Sequence, residues 1–305
     1  MPALTSVPTV DLSNLNTQEG KRLALDNIRR ACTDWGVFYL SGTPVLPAVL
    51  NNATNETQAF FSRSTEKKME IALENVPSSL GYVPLASERT GGKVDYRERI
   101  ILRGDDPASG GWEKSDPLYM TLQGKNQWPS EMPNFRRAHE DLLASFTDVS
   151  RTVHMTFGGI IYQATDHECL QAQAPNGEWV ICPPKPNTLV YVVGAICESI
   201  TRGVFKACFH RVLTPAPESG SRYAIVAALH IDYDISLTNP EVMKALEIIG
   251  KNLQAGLEVN NGILEDFLNE RFDAIGMRTL QRYMRSFPEV TAKWFPDYSG
   301  RAITA

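Results

Sequence analysis

The sequence predicts an α+β protein with a double-stranded β-helix (jelly-roll) core, flanked by N-terminal and C-terminal helices. Short apolar segments rich in β-branched residues are concentrated between residues 178 and 231, and no helical segment alternates with them. Residues before and after this region carry apolar positions at helical spacing. Strands without intervening helices favour an antiparallel jelly roll over a doubly wound fold. Neither a GxGxxG nor a GxxxxGK[ST] pattern occurs, so a nucleotide site has no support.

The N-terminal segment predicts a strand, a helix and a second strand. Residues 7–12 are apolar at alternate positions and open the fold as a strand. Residues 17–34 are predicted to form a helix, because apolar residues recur there at intervals of three to five: Leu23, Ile28, Ala31 and Trp35. Residues 36–40 form an apolar, β-prone run, which Gly42 and Pro44 end.

Helices and loops are predicted to follow. We expect helices over 46–61 and 65–72, and irregular loops over 76–126 with one short strand at 98–102. Pro129 begins a long helix that we expect to continue to residue 157. Its apolar positions keep helical spacing, and they are Leu142, Phe146, Val149, Val153 and Phe157. Gly158 and Gly159 are predicted to end it.

The β core follows the long helix. Near-continuous apolar runs are typical of strands buried on both faces. We predict four of them, at 179–182, 188–193, 205–213 and 223–231. The chain then returns to helical spacing over 240–257 and 264–287, which predicts C-terminal helices that pack on the core.

Composition excludes several classes of partner. The chain has 305 residues, 43% of them hydrophobic and 21% charged, and a net charge of −5. An acidic protein lacks the basic face that nucleic acid or an anionic membrane requires. No unbroken apolar run is long enough for a membrane span, and the N-terminus does not resemble a signal peptide.

The cysteines indicate a reducing compartment. Their number is odd and no two share a CxxC spacing: Cys32, Cys169, Cys182, Cys197 and Cys208. Without a leader, such cysteines are most simply free thiols, and a cysteine-based zinc site has little support. We therefore predict a cytoplasmic protein.

The first half of the chain resembles the isopenicillin-N-synthase-like branch of the 2-oxoglutarate/Fe(II) oxygenases, in its fungal and bacterial form. The resemblance rests on several short segments in the right order, namely ACTDWGVFYL at 31–40, Phe60-Phe61, Glu66-Lys67-Lys68, GYVPL at 81–85 and NQWP at 126–129. No single segment would suffice, and together they identify the family. The resemblance implies a jelly-roll oxidoreductase that uses Fe(II) and 2-oxoglutarate.

The second half resembles the family again, from Leu170-Gln171 through Gly177-Glu178-Trp179 to His210-Arg211-Val212 and Arg222-Tyr223. The resemblance implies that His210 binds iron and that Arg222 binds the co-substrate carboxylate. Tyr162 stands near the position of a tyrosine that faces the co-substrate. The family regions would be an N-terminal part at 1–125, a long helix plus core at 126–238, and C-terminal helices at 239–305.

One expected segment is missing. The family carries a His-x-Asp pair of iron ligands upstream of His210, and only GGIIYQATDHEC stands between Phe157 and Leu170. We therefore predict a shortened core with one of three ligands. Two further departures are Ala224, where the family has a hydroxyl, and Ala195, where it has an aspartate.

Other histidines offer weak replacements. Asp166-His167-Glu168 is an acidic cluster near the gap, but alternation along a strand would direct His167 away from both carboxylates, and a solvated loop is the simpler interpretation. His230-Ile231-Asp232 is a literal H-x-D triplet that follows the arginine, in the wrong order for the family. His139 and His154 fall in the predicted long helix, and Thr156 stands where a carboxylate would be needed.

The favoured hypothesis is an oxidoreductase acting on a small secondary metabolite by hydroxylation, desaturation or ring formation. Alternatives are a metal-free cyclase or isomerase on the same fold, or a non-catalytic pseudo-enzyme. No residue is assigned to acid–base catalysis, because no paired carboxylates are apparent. A shortened jelly roll leaves strand edges open, so a homo-oligomer that covers them is one predicted outcome.

Overall fold

The computed structural model describes residues 6–103, 112–113, 115–152, 158–201, 203–228, 233–236, 239–241, 244 and 274–298. The chain divides into two units, each assembled from separate stretches of sequence. The first contains Met1–Thr54, Leu142–Ile231 and Pro240–Asn269, and the second contains Asn55–Asp141, Asp232–Asn239 and Glu270–Ala305. Within the described ranges, no helix is both long enough and apolar enough to cross a bilayer.

The described strands, in chain order, are β1 (Thr9–Asp11), β2 (Val37–Ser41), β3 (Gly81–Val83), β4 (Arg89–Thr90), β5 (Lys93–Val94), β6 (Arg99–Ile101), β7 (Gly158–Gln163), β8 (Leu170–Gln173), β9 (Trp179–Ile181), β10 (Leu189–Val193), β11 (His210–Val212) and β12 (Ala224–Ala228). The described helices are α1 (Gln18–Asp34), α2 (Pro47–Phe61), α3 (Thr65–Met69), α4 (Pro133–Thr152), α5 (Ala195–Ile200), α6 (Ile275–Ser286) and α7 (Pro288–Trp294).

The larger sheet of the first unit has the strand order β1-β2-β10-β7-β12. Only β1 and β2 pair in parallel, and the other pairs are antiparallel. One face of this sheet packs under residues of α1, α2 and α4 in a buried core that includes Phe38, Leu142, Phe146, Ile160 and Tyr191. We call this face the helix-covered face.

A three-stranded antiparallel sheet, β11-β8-β9, lies opposite the other face of the larger sheet. Ile161 and Val190 from the larger sheet share one buried cluster with Leu170 and Ala172 from the smaller sheet. We call the facing surfaces of the two sheets the inner faces. Two mainly antiparallel sheets that pack through a shared apolar layer are the arrangement predicted for a jelly-roll core.

The second unit has its own core. Phe60, Ile71, Tyr82 and Phe135 form an aromatic-rich cluster. Two buried charged side chains of this unit are paired: Lys68 Nζ lies 2.9 Å from Glu98 Oε2, and Glu88 accepts hydrogen bonds from Arg97 and Arg99. Pairing removes most of the cost of burying such charges.

Helix α1 shows how local sequence sets an element. Thr17 lies in extended conformation at the N-cap, and its Oγ1 accepts a hydrogen bond from the Gly20 N–H at 3.0 Å. This cap satisfies one of the free amides of the first turn. Ala24, Ile28, Ala31 and Cys32 form the buried face of the helix.

The structure corrects several predicted boundaries. The long helix begins at Pro133 instead of Pro129 and is described as far as Thr152, and Gly158 and Gly159 begin strand β7 instead of ending the helix. A Cβ on Gly158 would lie 2.5 Å from the Val192 carbonyl oxygen, so glycine here permits close approach of β7 and β10. The predicted strand over 205–213 is reduced to β11, and β8 was not predicted. The predicted helix at 240–257 falls almost wholly outside the described residues.

Candidate functional site

The sequence-predicted iron ligand His210 lies at an edge of the smaller sheet, as far as the described strands show. It starts β11, an edge strand, and is paired directly opposite Ala172 of β8. Directly opposed residues of an antiparallel pair point to the same side of the sheet. Ala172 is fully buried in the inner cluster, so His210 is directed to the inner face, yet all three residues of β11 are exposed.

The imidazole of His210 is fixed in one tautomer. Its Nδ1 lies 3.0 Å from the backbone carbonyl oxygen of Cys208. A carbonyl only accepts, so Nδ1 carries the hydrogen and the neutral ring keeps its lone pair on Nε2. A backbone carbonyl that holds the far nitrogen in this way is the common support of a metal-binding histidine. His210 is therefore suited to supply one ligand through Nε2.

The described residues do not fit a complete Fe(II) site. Such sites use two histidines and one carboxylate. No group of three or more His, Cys, Asp or Glu side chains able to hold a metal occurs in the described part of the chain. His154, Thr156 and the triplet at 230–232 lie outside the described residues. Within the described ranges, His210 has no partner ligands.

The predicted replacement cluster does not supply ligands either. His167 Nδ1 lies 3.0 Å from Thr165 Oγ1, and its Nε2 lies 3.0 Å from the Ser219 carbonyl oxygen. Both ring nitrogens are thus engaged within the protein. The other described candidate, His139, is buried in α4 and contacts the Phe135 carbonyl oxygen and Thr57 Oγ1. These two histidines are structural.

Arg222, which is predicted to bind the co-substrate, lies two residues before Ala224, the first residue of β12. Its side chain is half-buried. Burial lowers the pKa of its guanidinium, and the nearby Cys169 thiol partly offsets that effect. No hydrogen bond or ion pair to Arg222 occurs among the described residues. A half-buried guanidinium that no described residue neutralises fits a ligand carboxylate, which it can bind through two parallel hydrogen bonds.

Tyr162, the third predicted site residue, lies on a different surface. It packs against the core under the helix-covered face, together with its cross-strand neighbour Ile225. The adjacent residue Ile161 points to the inner face, as alternation along β7 requires. The structure therefore does not bring Tyr162 together with His210.

Gln163 is an inner-face residue that sequence reasoning missed. It ends β7 opposite Ala224. Its Nε2 donates to the Cys182 carbonyl oxygen at 3.0 Å, and its Oε1 is buried with no hydrogen-bond partner within the described ranges. Prediction of β7 as a strand would have placed Gln163 on the same face as Ile161. This acceptor is available to a polar group of a ligand.

Two family descriptions match the chain. Residues 7–131 match the non-haem dioxygenase in morphine synthesis N-terminal family, and residues 150–231 match the 2OG-Fe(II) oxygenase superfamily. The chain is 30% identical to the 2-oxoglutarate-dependent dioxygenase frbJ of Dothideomycetidae sp. (strain 11243), over 95% of this chain and 92% of that protein. It is 26% identical to the 2-oxoglutarate-dependent dioxygenase citB of Monascus ruber, over 81% and 89% respectively.

Solved structures show the same fold. A full-length protein from Neurospora crassa, solved in complex with alpha-KG, superposes with a TM-score of 0.63 at 17% identity, over 87% of this chain and 97% of that one. A 2OG-Fe(II) oxygenase family protein from Caulobacter crescentus gives a TM-score of 0.63 at 19% identity, over 87% and 99%.

The alignments also reveal a difference in length. The alignment with frbJ spans 341 positions, whereas this chain has 305 residues. At least 36 positions of that relative therefore have no counterpart here. The chain is therefore shorter than this relative over the aligned region.

Proposed function

This chain belongs to the 2OG-Fe(II) oxygenase superfamily, and from that premise we propose that it binds 2-oxoglutarate through Arg222 but lacks a complete ferrous centre. Members of the family use Fe(II) and 2-oxoglutarate, which together supply the oxidising chemistry. The observation that carries the proposal is the half-buried guanidinium of Arg222, which no described acidic group neutralises. As the substrate class of the family branch to which this chain belongs, we propose a small secondary metabolite.

Arg222 would hold the distal carboxylate of 2-oxoglutarate. Its planar fork matches the two carboxylate oxygens, and partial burial strengthens such a pair because less water competes. The buried side chain of Ile161 lies on the inner face, two residues before Gln163, which pairs with Ala224 at the start of β12.

The proposed lack of catalytic turnover follows from the metal ligands that the described residues supply. One neutral imidazole, His210 Nε2, cannot hold Fe(II) against water and competing chelators, because the coordination depends on three protein ligands that act together. We therefore expect the carboxylate-binding site at Arg222 to serve a role that needs no metal ion. Oxidative catalysis would require ligands from residues outside the described ranges.

The test measures binding and metal content separately. We expect titration calorimetry to detect 2-oxoglutarate binding that Arg222→Gln weakens by about 30- to 100-fold, the loss of one charge-assisted bidentate contact. Arg211→Gln is the matched control, since Arg211 lies on β11 in the smaller sheet, opposite Gln171 on its outer face, and contacts Gln171 and the Trp179 ring. Equal affinity of Arg222→Gln and the parent protein would refute the carboxylate site.

Metal analysis tests the second half of the proposal. We expect iron well below one equivalent per chain after anaerobic reconstitution, and no release of succinate from 2-oxoglutarate. One equivalent of iron together with sustained succinate formation would overturn it. That outcome would show that residues outside the described ranges, such as His154 or Asp232, complete the site.

We further propose that the protein forms a homo-oligomer that covers the open side of the core. Strands β11 and β12 are sheet edges in the described part of the chain, and apolar side chains on them are exposed: Val212 is 51% and Val226 58% exposed. Exposed apolar edge strands favour association with another chain. A cytosolic location is proposed on the basis of five free cysteines.

A further inference from the structure

We propose that His167 is a positioning residue for Arg222, and that it acts by fixing the loop that joins β11 to β12. This inference rests on the proposed role of Arg222 as the 2-oxoglutarate ligand. It assigns a function to a histidine that does not touch the co-substrate. The observation behind it is a series of hydrogen bonds through His167 and Thr165 that connects Ser219 with Tyr223, which lie on either side of Arg222 in the sequence.

The chain of hydrogen bonds has three links. The backbone N–H of Tyr223 donates to Thr165 Oγ1 at 3.2 Å. Thr165 Oγ1 and His167 Nδ1 are 3.0 Å apart, and His167 Nε2 lies 3.0 Å from the Ser219 carbonyl oxygen. The loop is thus held one residue after Arg222 and three residues before it.

The direction of each link follows from the chemistry of its atoms. The Ser219 carbonyl can only accept, so His167 Nε2 carries the hydrogen. The neutral ring then accepts at Nδ1, and the Thr165 hydroxyl donates to it. The same Thr165 oxygen keeps a lone pair for the Tyr223 N–H. Neutral imidazole therefore satisfies all three links at once.

The loop has internal hydrogen bonds from the Ser219 N–H and Oγ to the Ala216 carbonyl, but few described bonds tie it to the rest of the chain. Residues 216–221 are exposed, and Gly220 adopts a φ of +80°, in the left-handed region where glycine carries no steric penalty. At the ends of the loop, the Leu213 N–H donates to the Cys169 carbonyl and the Ala164 N–H donates to the Tyr223 carbonyl. His167 is the described side chain that reaches the middle of the loop at Ser219. Without it, Arg222 would sample more orientations, and binding would bear the ordering cost.

The experiment compares two ligands across matched variants. The ligands are 2-oxoglutarate and 2-oxovalerate, which has the same five-carbon chain without the distal carboxylate. In His167→Ala we expect the affinity for 2-oxoglutarate to fall about tenfold, in line with the loss of one or two hydrogen bonds, and the affinity for 2-oxovalerate to stay within twofold. A general weakening of the fold would lower both affinities together.

Conservative variants keep the proposal testable if His167→Ala unfolds. In His167→Gln the amide retains a donor for Ser219, and Thr165→Ser retains the hydroxyl, so both should bind 2-oxoglutarate within threefold of the parent protein. Thr165→Val breaks two links and should reproduce the tenfold loss. Melting temperatures, measured in parallel, identify any variant that does not fold.

The outcomes separate this inference from the proposed function. If Arg222→Gln abolishes the preference for 2-oxoglutarate over 2-oxovalerate but His167→Ala and Thr165→Val do not reduce it, only the positioning role is refuted. If Arg222→Gln leaves that preference intact, the carboxylate site and the positioning role fail together. Equal loss of affinity for both ligands in Thr165→Val also refutes the positioning role.

Discussion

Three of the five histidines lie in the described part of the chain, and each has a different environment. His139 is buried beside Phe135, its Nδ1 facing a carbonyl and its Nε2 facing Thr57. His167 spans two loops through both nitrogens. Only His210 keeps a ring nitrogen without a described partner. Availability of a nitrogen, more than the presence of a histidine, decides which of them can bind a ligand.

Burial of His139 predicts a dependence of stability on pH. Burial lowers the pKa of His139 below its ordinary 6.5, although the Phe135 carbonyl acts in the opposite direction. Between the folded and the unfolded pKa, the unfolded chain binds a proton at His139 and the folded chain does not. This contribution to the free energy of unfolding is therefore fully present above pH 6.5 and is lost as the pH falls through the folded pKa. We expect His139→Gln to show a shallower fall, by up to about 1.4 kcal/mol per pH unit.

Urea unfolding of the parent protein and His139→Gln from pH 8 to pH 5 measures this difference. Other ionisable groups contribute equally to both proteins, so the difference between the two curves isolates His139. Parallel curves across the whole range would contradict the prediction.

The position of Tyr162 predicts that its hydroxyl is dispensable for ligand binding. Its ring packs under the helix-covered face, and no hydrogen bond of its hydroxyl occurs within the described ranges. We expect Tyr162→Phe to bind 2-oxoglutarate within twofold of the parent protein. A tenfold loss in calorimetry would instead show that Tyr162 faces the co-substrate, as the family resemblance implies.

At the level of elements, strand β7 organises the core, because it pairs with both β10 and β12 and has side chains on both faces. Its first two glycines meet different surroundings. A Cβ on Gly158 would lie 2.3 Å from Tyr191 Oη, whereas a Cβ on Gly159 would meet nothing closer than the Ala227 oxygen at 4.0 Å. Tight packing therefore depends on the first glycine alone.

This contrast predicts opposite tolerance at neighbouring positions. Gly158→Ala should lower the free energy of unfolding by about 2 kcal/mol, the usual cost of overpacking a rigid core. Gly159→Ala should change it by less than about 0.5 kcal/mol, as expected for a substitution with room to spare. Urea unfolding of the two variants checks this, and similar values for both would refute it.

Sequence patterns predicted the elements with strong periodicity and missed those set by distant contacts. The helix at 17–34 and the strand at 188–193 are confirmed, because helical spacing and a continuous apolar run are local signals. Strand β7 was mistaken for a helix stop, since two glycines indicate a break unless the close approach to Tyr191 is known. For the same reason, Gln163 and the His167 links could not be anticipated.

At the scale of the whole molecule, at least 36 positions of one relative have no counterpart in this chain. Within the described ranges, its two facing sheets have β11 and β12 as edge strands. His210, Val212 and Val226 are exposed on these edges although they are directed to the inner faces. Among the described residues, this edge position leaves His210 without neighbouring ligands and exposes apolar side chains.

Open edges predict concentration-dependent association that charge should suppress. Lysine on an edge strand opposes pairing with another chain, because its charge would have to be buried. We expect Val226→Lys to shift the protein toward monomer in sedimentation experiments, with little change in melting temperature because Val226 is already exposed. Thr90→Lys, on an exposed strand of the other unit, serves as the control. A parent protein that stays monomeric at all concentrations would contradict the prediction.

The five buried cysteines allow the local opening of the first unit to be timed chemically. Burial raises the pKa of Cys208 to about 11 and those of Cys182 and Cys197 to about 12, so these three side chains hold almost no thiolate at neutral pH in the native protein. Alkylating reagents react with thiolate, and each sulfur is therefore modified only when its surroundings open. Timed alkylation followed by mass spectrometry would rank the opening rates around each sulfur, and Cys208, beside the unprotected edge, should be modified before Cys197.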